Sequence, residues 1–199
     1  MTEQTQQQPF WHRLNLPAPG THIDRDAYRA LPSVPFHMEW HAGTVIYPNW
    51  NEISMSPSPS SQHQRLVVRL LQVLAGLIPD GDLLTAPMDL YLSGRIVQPD
   101  VFWVAPGTAC IDRGTFYERP PALIVEVLSP TNTANDRVTK FDLYEQNGVS
   151  EYWMANPAER YLEVYTLSDS TYQRLGAFRG QTFTSPALSA PIDTAHLLK

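Results

Sequence analysis

The sequence predicts a mixed α/β (α+β) domain in which a helix, three strands, a second helix and a fourth strand follow one another. Three observations support this order. Apolar residues recur at helical spacing from Leu66 to Ile78. Three strand-like segments follow, LLTAPMDLYL, RIVQPDVFWV and ALIVEVLS. Residues 122–156 then have the strand–helix–strand order of a right-handed parallel crossover, which places both strands in one mixed sheet.

The first half of the chain supplies boundary signals for these elements. Residues 1–20 are rich in Gln and Pro and predict a flexible arm, which leaves 21–199 as a single domain. Residues 39–55 alternate as in a hairpin, and a Ser/Pro loop follows. Ser60 or Ser61 is the expected N-cap of the first helix, which Pro79-Asp80-Gly81 ends. Ser93-Gly94 joins the first two strands in a hairpin.

The second half continues the pattern. ALIVEVLS is apolar on both faces, which is typical of a central strand covered on each side. The next helix lies in TNTANDRVTKFDLYEQNG, opened by Thr133 or Asn135 and closed at Gly148 in the left-handed conformation. SEYWMA is the following strand, and YLEVYTL and YQRLGAF form an antiparallel β extension.

Composition and charge limit the classes of function. The chain has 199 residues, 43% of them hydrophobic, and its single cysteine excludes an internal disulfide. It has neither a secretory signal pattern nor an apolar stretch long enough to span a bilayer, so we expect a soluble, cytoplasmic protein with no membrane partner. The formal charge of −6 disfavours a partner held mainly by electrostatics, such as duplex DNA, without excluding one.

One carboxylate stands where a strand should be apolar. Glu126 lies in the middle of ALIVEVLS, and burying it is unfavourable unless a partner compensates its charge. Asp100, after Pro99, begins the strand expected beside it. Facing carboxylates repel each other and favour a bound cation. Mg²⁺ or Mn²⁺ is the natural candidate, and such an ion can activate water and stabilise charge on a phosphodiester.

A lysine on the following helix completes the candidate site. Asp136, Lys140 and Tyr144 are four residues apart and share a helical face. If this face packs on the strand that carries Glu126, Lys140 can orient the attacking water.

Each residue also has a structural interpretation. Asp100 can cap a turn, Glu126 can pair with an arginine such as Arg137, and Lys140 can be a solvated helix residue. Tyr144 is then a core or site-lining residue.

The order of these motifs resembles the Uma family of predicted endonucleases, within the PD-(D/E)XK restriction-endonuclease-like superfamily. The resemblance covers roughly residues 39 to 197. The segments that carry it are Gln98-Pro99-Asp100, Val125–Pro130, Asp136 with Lys140 and Tyr144, Gly148–Trp153, and Glu52–Pro59 with His63. It implies a restriction-endonuclease-like αβββαβ core.

Two positions depart from the family pattern. The superfamily places a lysine two residues after the second acid, where this chain has Leu128. The resemblance implies that the lysine has migrated to Lys140. Asn51 stands where the family usually has glycine before the glutamate. This difference affects the local turn and therefore the assignment of Glu52 to the site. Glu52 is therefore either a further acid of the site or a surface residue at a strand edge.

The resulting expectation is a Mg²⁺- or Mn²⁺-dependent endonuclease acting on DNA. Asp100, Glu126 and the Val127 carbonyl hold the metal, and Lys140 orients the attacking water. His63 is a site-lining or a structural residue. A homodimer is expected because cutting both strands usually requires two sites. The alternative is a non-catalytic nucleic-acid-binding or scaffold protein that retains the nuclease fold, which the negative charge favours.

Overall fold

The computed structural model describes residues 10–32, 38–47, 60–128 and 135–199. The helices in these ranges are α1 (Phe10–Arg13), α2 (Arg25–Arg29), α3 (Ser61–Leu77), a π-helical turn (Asn135–Lys140), α4 (Phe141–Asn147) and α5 (Thr194–Leu197). The strands are β1 (Glu39–His41), β2 (Thr44–Ile46), β3 (Asp82–Thr85), β4 (Asp89–Leu92), β5 (Arg95–Val97), β6 (Val101–Val104), β7 (Ile111–Asp112), β8 (Phe116–Glu118), β9 (Leu123–Val127), β10 (Glu151–Asn156), β11 (Tyr161–Ser168), β12 (Thr171–Phe178), β13 (Thr182–Ser185) and β14 (Ala190–Asp193).

Two six-stranded sheets organise these strands. The central sheet has the order β12-β11-β10-β9-β6-β3, and the second sheet has the order β2-β1-β5-β4-β8-β7. In the central sheet β9 and β10 are parallel and the other neighbours are antiparallel, so the sheet is mixed. Taken in chain order, α3, β3, β6, β9, α4 and β10 form the predicted αβββαβ core. β11 and β12 form the predicted antiparallel extension.

The first two predicted strands are each divided between the two sheets. They form one long hairpin around Ser93-Gly94, whose outer parts pair as β3 with β6 and whose tip pairs as β4 with β5. Each arm breaks near a proline, Pro87 in one and Pro99 in the other, because proline has no N–H to donate to a ladder. Asp100 lies directly after the second break, where the chain enters the central sheet.

The predicted helices form, with one difference in the second. Ser60 caps α3 by accepting a hydrogen bond from the His63 backbone N–H at 3.2 Å. Gly148 ends α4 with φ of 83°, as predicted. The segment before α4 is a wider π-helical turn, a feature that is frequent near functional sites. Lys140 lies at the junction between that turn and α4.

The described part of the segment predicted as a hairpin over 39–55 contains one hairpin, formed by β1 and β2. β1 and β2 turn at Ala42-Gly43, both with positive φ, and residues 48–59 lie outside the described residues. The part of the prediction that concerns NEISM lies outside the described residues.

Apolar residues fill both faces of the central sheet. One face packs against α3, α5 and the β13–β14 hairpin, around Leu70, Leu74 and Trp153. The opposite face packs against α4 and the second sheet, around Ile124 and Tyr144. This covering explains why β9 is buried along its whole length. None of the described helices combines the length and apolar character needed to cross a bilayer.

Candidate functional site

Asp100 and Glu126 are brought together by the pairing of β6 with β9. Asp100 immediately precedes β6, Glu126 is the penultimate residue of β9, and Val101 is opposite Val125 in the antiparallel register. The Val127 backbone N–H donates to Oδ2 of Asp100 at 2.7 Å. The end of one strand therefore fixes the carboxylate at the start of its neighbour.

His63 provides the second contact to Asp100. Its Nε2 lies 3.2 Å from the carboxylate, and α3 carries it there from its first turn. Burial by itself raises the pKa of Asp100, but the hydrogen bond and charge of His63, with the charge of Lys140, outweigh it and hold that pKa below its ordinary value. Asp100 is therefore held as a carboxylate.

Glu126 receives two donors from the helix that follows its strand. Lys140 Nζ lies 3.0 Å and the Tyr144 hydroxyl 2.7 Å from the same oxygen, Oε1. The Glu126 and Lys140 side chains are 3% and 4% exposed, so this is a buried ion pair. Burial and the neighbouring carboxylate raise the pKa of Tyr144 well above its ordinary value, so its hydroxyl remains a donor.

Glu39 is an acid of this site that sequence reasoning missed. Its Oε1 lies 3.6 Å from Lys140 Nζ, its Oε2 lies 2.8 Å from Nε2 of His41, and its side chain is fully buried. Glu39 lies between the apolar residues Met38 and Trp40. In a strand, a polar residue that alternates with apolar ones is expected to face solvent. Only the packing of the second sheet against α4 reveals that this face is also covered.

The structure does not place every predicted site residue. Glu52 lies outside the described residues, and so does the side chain of Arg137, the alternative partner of Glu126. Val127 was predicted to act through its carbonyl, and the contact that the structure shows is made by its N–H. Leu128, where the superfamily has lysine, is buried at 3% exposure among apolar residues.

The donor chemistry of the site fits a hard divalent cation. Three carboxylates, those of Glu39, Asp100 and Glu126, face the single ammonium of Lys140, and oxygen ligands are those that Mg²⁺ and Mn²⁺ prefer. Each carboxylate is also engaged by protein donors. Within the described ranges, no three His, Cys, Asp or Glu side chains form a ready-made metal cluster.

Comparison with known proteins places this geometry in a family. A solved structure from Anabaena variabilis ATCC 29413, described as a putative nuclease belonging to DUF820, superposes with a TM-score of 0.68 at 14% sequence identity. The superposition covers 87% of this chain and 96% of that one, which confirms the predicted fold. Curated proteins gave no match. Residues 27–195 match the Uma2 family, described as "Putative restriction endonuclease", and the chain therefore belongs to the Uma2 family.

Proposed function

We propose that this protein is a nuclease that hydrolyses DNA phosphodiester bonds with the help of Mg²⁺ or Mn²⁺. The observation that supports it best is the convergence of Asp100 and Glu126 from adjacent strand ends on a lysine of the next helix. Membership of a family described as restriction endonucleases agrees with this chemistry.

In this proposal Asp100, Glu126 and the Val127 carbonyl hold the ion, and Glu39 adds a third carboxylate nearby. When bound, the ion supplies water activation and stabilisation of the charge that develops on the phosphate. Glu39, 3.6 Å from Lys140 Nζ, is in this proposal a further site acid, and the same role for Glu52, which lies outside the described residues, stays a prediction.

The protein's own side chains position the reacting groups. His63 and the Val127 N–H fix the Asp100 carboxylate, and Tyr144 fixes Glu126. Lys140 neutralises part of the acidic cluster and donates to the water that attacks the phosphorus. Its ammonium is held rigidly by burial, which favours such a preorganised role.

The test is cleavage of supercoiled plasmid in Mg²⁺, in Mn²⁺ and in EDTA. We expect nicking in either metal and none in EDTA. Lys140→Ala should reduce the rate about a hundredfold or more, as for loss of a preorganised catalytic donor. Glu118→Ala, which removes a glutamate of the second sheet, is the control and should cut normally. Equal cleavage by Lys140→Ala and the wild type would remove the lysine from the mechanism.

Metal binding is tested separately from turnover. Calorimetric titration with Mn²⁺ should show binding to the wild type and to Glu118→Ala but none to Glu126→Ala. Binding of equal strength to Glu126→Ala contradicts the ligand assignment.

The alternative function, a non-catalytic nucleic-acid-binding or scaffold protein, is favoured by one observation. Lys140 and Glu126 already satisfy each other as a buried ion pair. Metal binding without cleavage of supercoiled, linear, branched or single-stranded DNA supports this alternative. The homodimer also stays a prediction, which light scattering after gel filtration tests.

A further inference from the structure

A basic cavity of about 270 Å³ opens beside α3. Its polar and charged lining contains three arginines and a lysine but no acidic residue. The lining includes Gln62, Arg65, Arg69, Pro157, Arg160 and Lys199. In a chain with a net charge of −6, this concentration of positive charge is local.

The cavity and the candidate site both lie at the end of the central sheet where β9 and β10 have their carboxyl ends. Gln62 directly precedes His63, whose ring contacts Asp100. On the other side, Pro157 follows the carboxyl end of β10, the strand parallel to β9. The Leu128 N–H donates to the Ala155 carbonyl at 2.8 Å, so the ends of these strands are adjacent. The cavity and the candidate site therefore lie at the same end of these strands.

Two of the three cavity arginines, Arg65 and Arg160, are available to an external anion. α3 carries no Asp or Glu, and the polar contact of the Arg65 side chain is to Ser61 Oγ at 3.3 Å. Arg69 is engaged within the fold, because it donates to the terminal carboxyl oxygen of Lys199. Within the described part of the chain, none of the three cavity arginines forms an ion pair with an acidic side chain.

Two other arginines of the described chain are neutralised by glutamates. Arg113 and Arg174 each pair with a glutamate, at 2.8 and 2.9 Å. Arg65 and Arg160 have no such carboxylate partner within the described residues, so their positive charge remains for a ligand.

We propose that this cavity binds the phosphate backbone of the nucleic acid whose scissile bond lies at the Asp100 and Glu126 site. The inference rests on the proposed nuclease function and adds to it a surface that holds the substrate. A guanidinium presents a planar fork of donors that matches phosphate oxygens, and the lining has no Asp or Glu side chain to repel the strand. Because these contacts reach only phosphates, the cavity contributes affinity and register rather than sequence preference.

The experiment measures binding of a fluorescein-labelled 24-base-pair duplex by anisotropy across a salt series, in Ca²⁺. The pocket variant is Arg65→Gln with Arg160→Gln, both at exposed positions. The control variant, Arg25→Gln with Arg119→Gln, makes the same change in charge beside the second sheet, at the exposed Arg119 and at the partly exposed Arg25, which lies over the Tyr91 ring. We expect the pocket variant to bind about tenfold or more weakly. Its slope of log affinity against log salt should fall by about two, because two phosphate contacts are lost. The control should keep the wild-type slope.

Two results overturn the inference: a pocket variant with wild-type affinity and slope, or equal weakening of the pocket and control variants. Lys140→Ala separates this inference from the proposed function. If Lys140→Ala loses nicking while the pocket variant binds as the wild type does, the nuclease stands and the cavity assignment falls. If the wild type neither binds the duplex nor nicks plasmid, both proposals fall.

Discussion

Two buried glutamates on neighbouring parallel strands are stabilised in opposite ways. Glu126 on β9 lies at the carboxyl end of its strand and pairs with a cation, Lys140, and a phenol. Glu151 on β10 lies at the amino end of its strand, and its donors among the described residues are neutral. These donors are Trp153 Nε1 at 2.6 Å, Ser185 Oγ at 3.0 Å and the Ala187 N–H at 2.7 Å.

The contrast shows that a buried carboxylate does not by itself identify a reactive site. Glu151 faces the core that packs on α3 and fastens the loop after β13 to the sheet. Burial raises its pKa in spite of the three donors. Glu126 faces the opposite core, where Glu39 and Lys140 add charges of both signs within reach of one another. The chemistry depends on these neighbouring charges.

The largest expected effect comes from removing Lys140, the cation that compensates Glu126 and has no counterpart among the described residues beside Glu151. Lys140→Met leaves Glu126 and Glu39 buried without their common cation and should lower the free energy of unfolding by about 3–5 kcal/mol. Adding Glu126→Gln to this variant should recover part of the loss, because one uncompensated charge is removed. Urea denaturation of the wild type, both single variants and the double variant gives the coupling energy. Strict additivity argues against a stabilising ion pair.

An intermediate effect concerns the pH dependence that Glu151 introduces. Its folded pKa is raised above the unfolded value, so the folded state binds the proton more tightly. The stability from this group is full below the unfolded pKa and is lost as pH rises through the folded pKa, by about 1.4 kcal/mol for each pH unit between the two. Glu151→Gln should remove this slope and leave DNA cleavage unchanged. Urea denaturation from pH 4 to 8 measures it, with Glu118→Gln as the control that keeps the slope.

The smallest expected effect compares two buried tyrosine hydroxyls. Tyr144→Phe removes the 2.7 Å hydrogen bond to Glu126, and Tyr172→Phe removes the 3.0 Å hydrogen bond to the Val149 carbonyl. Each change should lower the free energy of unfolding by about 1–2 kcal/mol. Only Tyr144→Phe should also slow cleavage, by roughly tenfold, because only that hydroxyl fixes a site carboxylate. Cleavage slowed equally in both variants indicates a general loss of packing.

The order of the core elements could be predicted because it depends on local patterns. The helical spacing from Leu66 to Ile78, the run of apolar residues around Glu126 and the glycine at 148 each determine their element within a few neighbours. The division of the hairpin between two sheets was not predicted, because the apolar pattern of each arm continues across Pro87 or Pro99. Pairing partners depend on contacts far apart in sequence, which alternation does not encode.

Part of the candidate site could likewise be predicted from the sequence, and part could not. The sequence by itself singled out Asp100, Glu126 and Lys140, because a carboxylate in an apolar strand and a lone internal lysine are visible without coordinates. Only the tertiary structure decided that Glu39 joins them, that His63 contacts Asp100, and that Glu151 is held apart by neutral donors on the other face. The physical reason is that charge compensation in a buried site is a property of distances between elements, and these are set when the two sheets and α4 pack together.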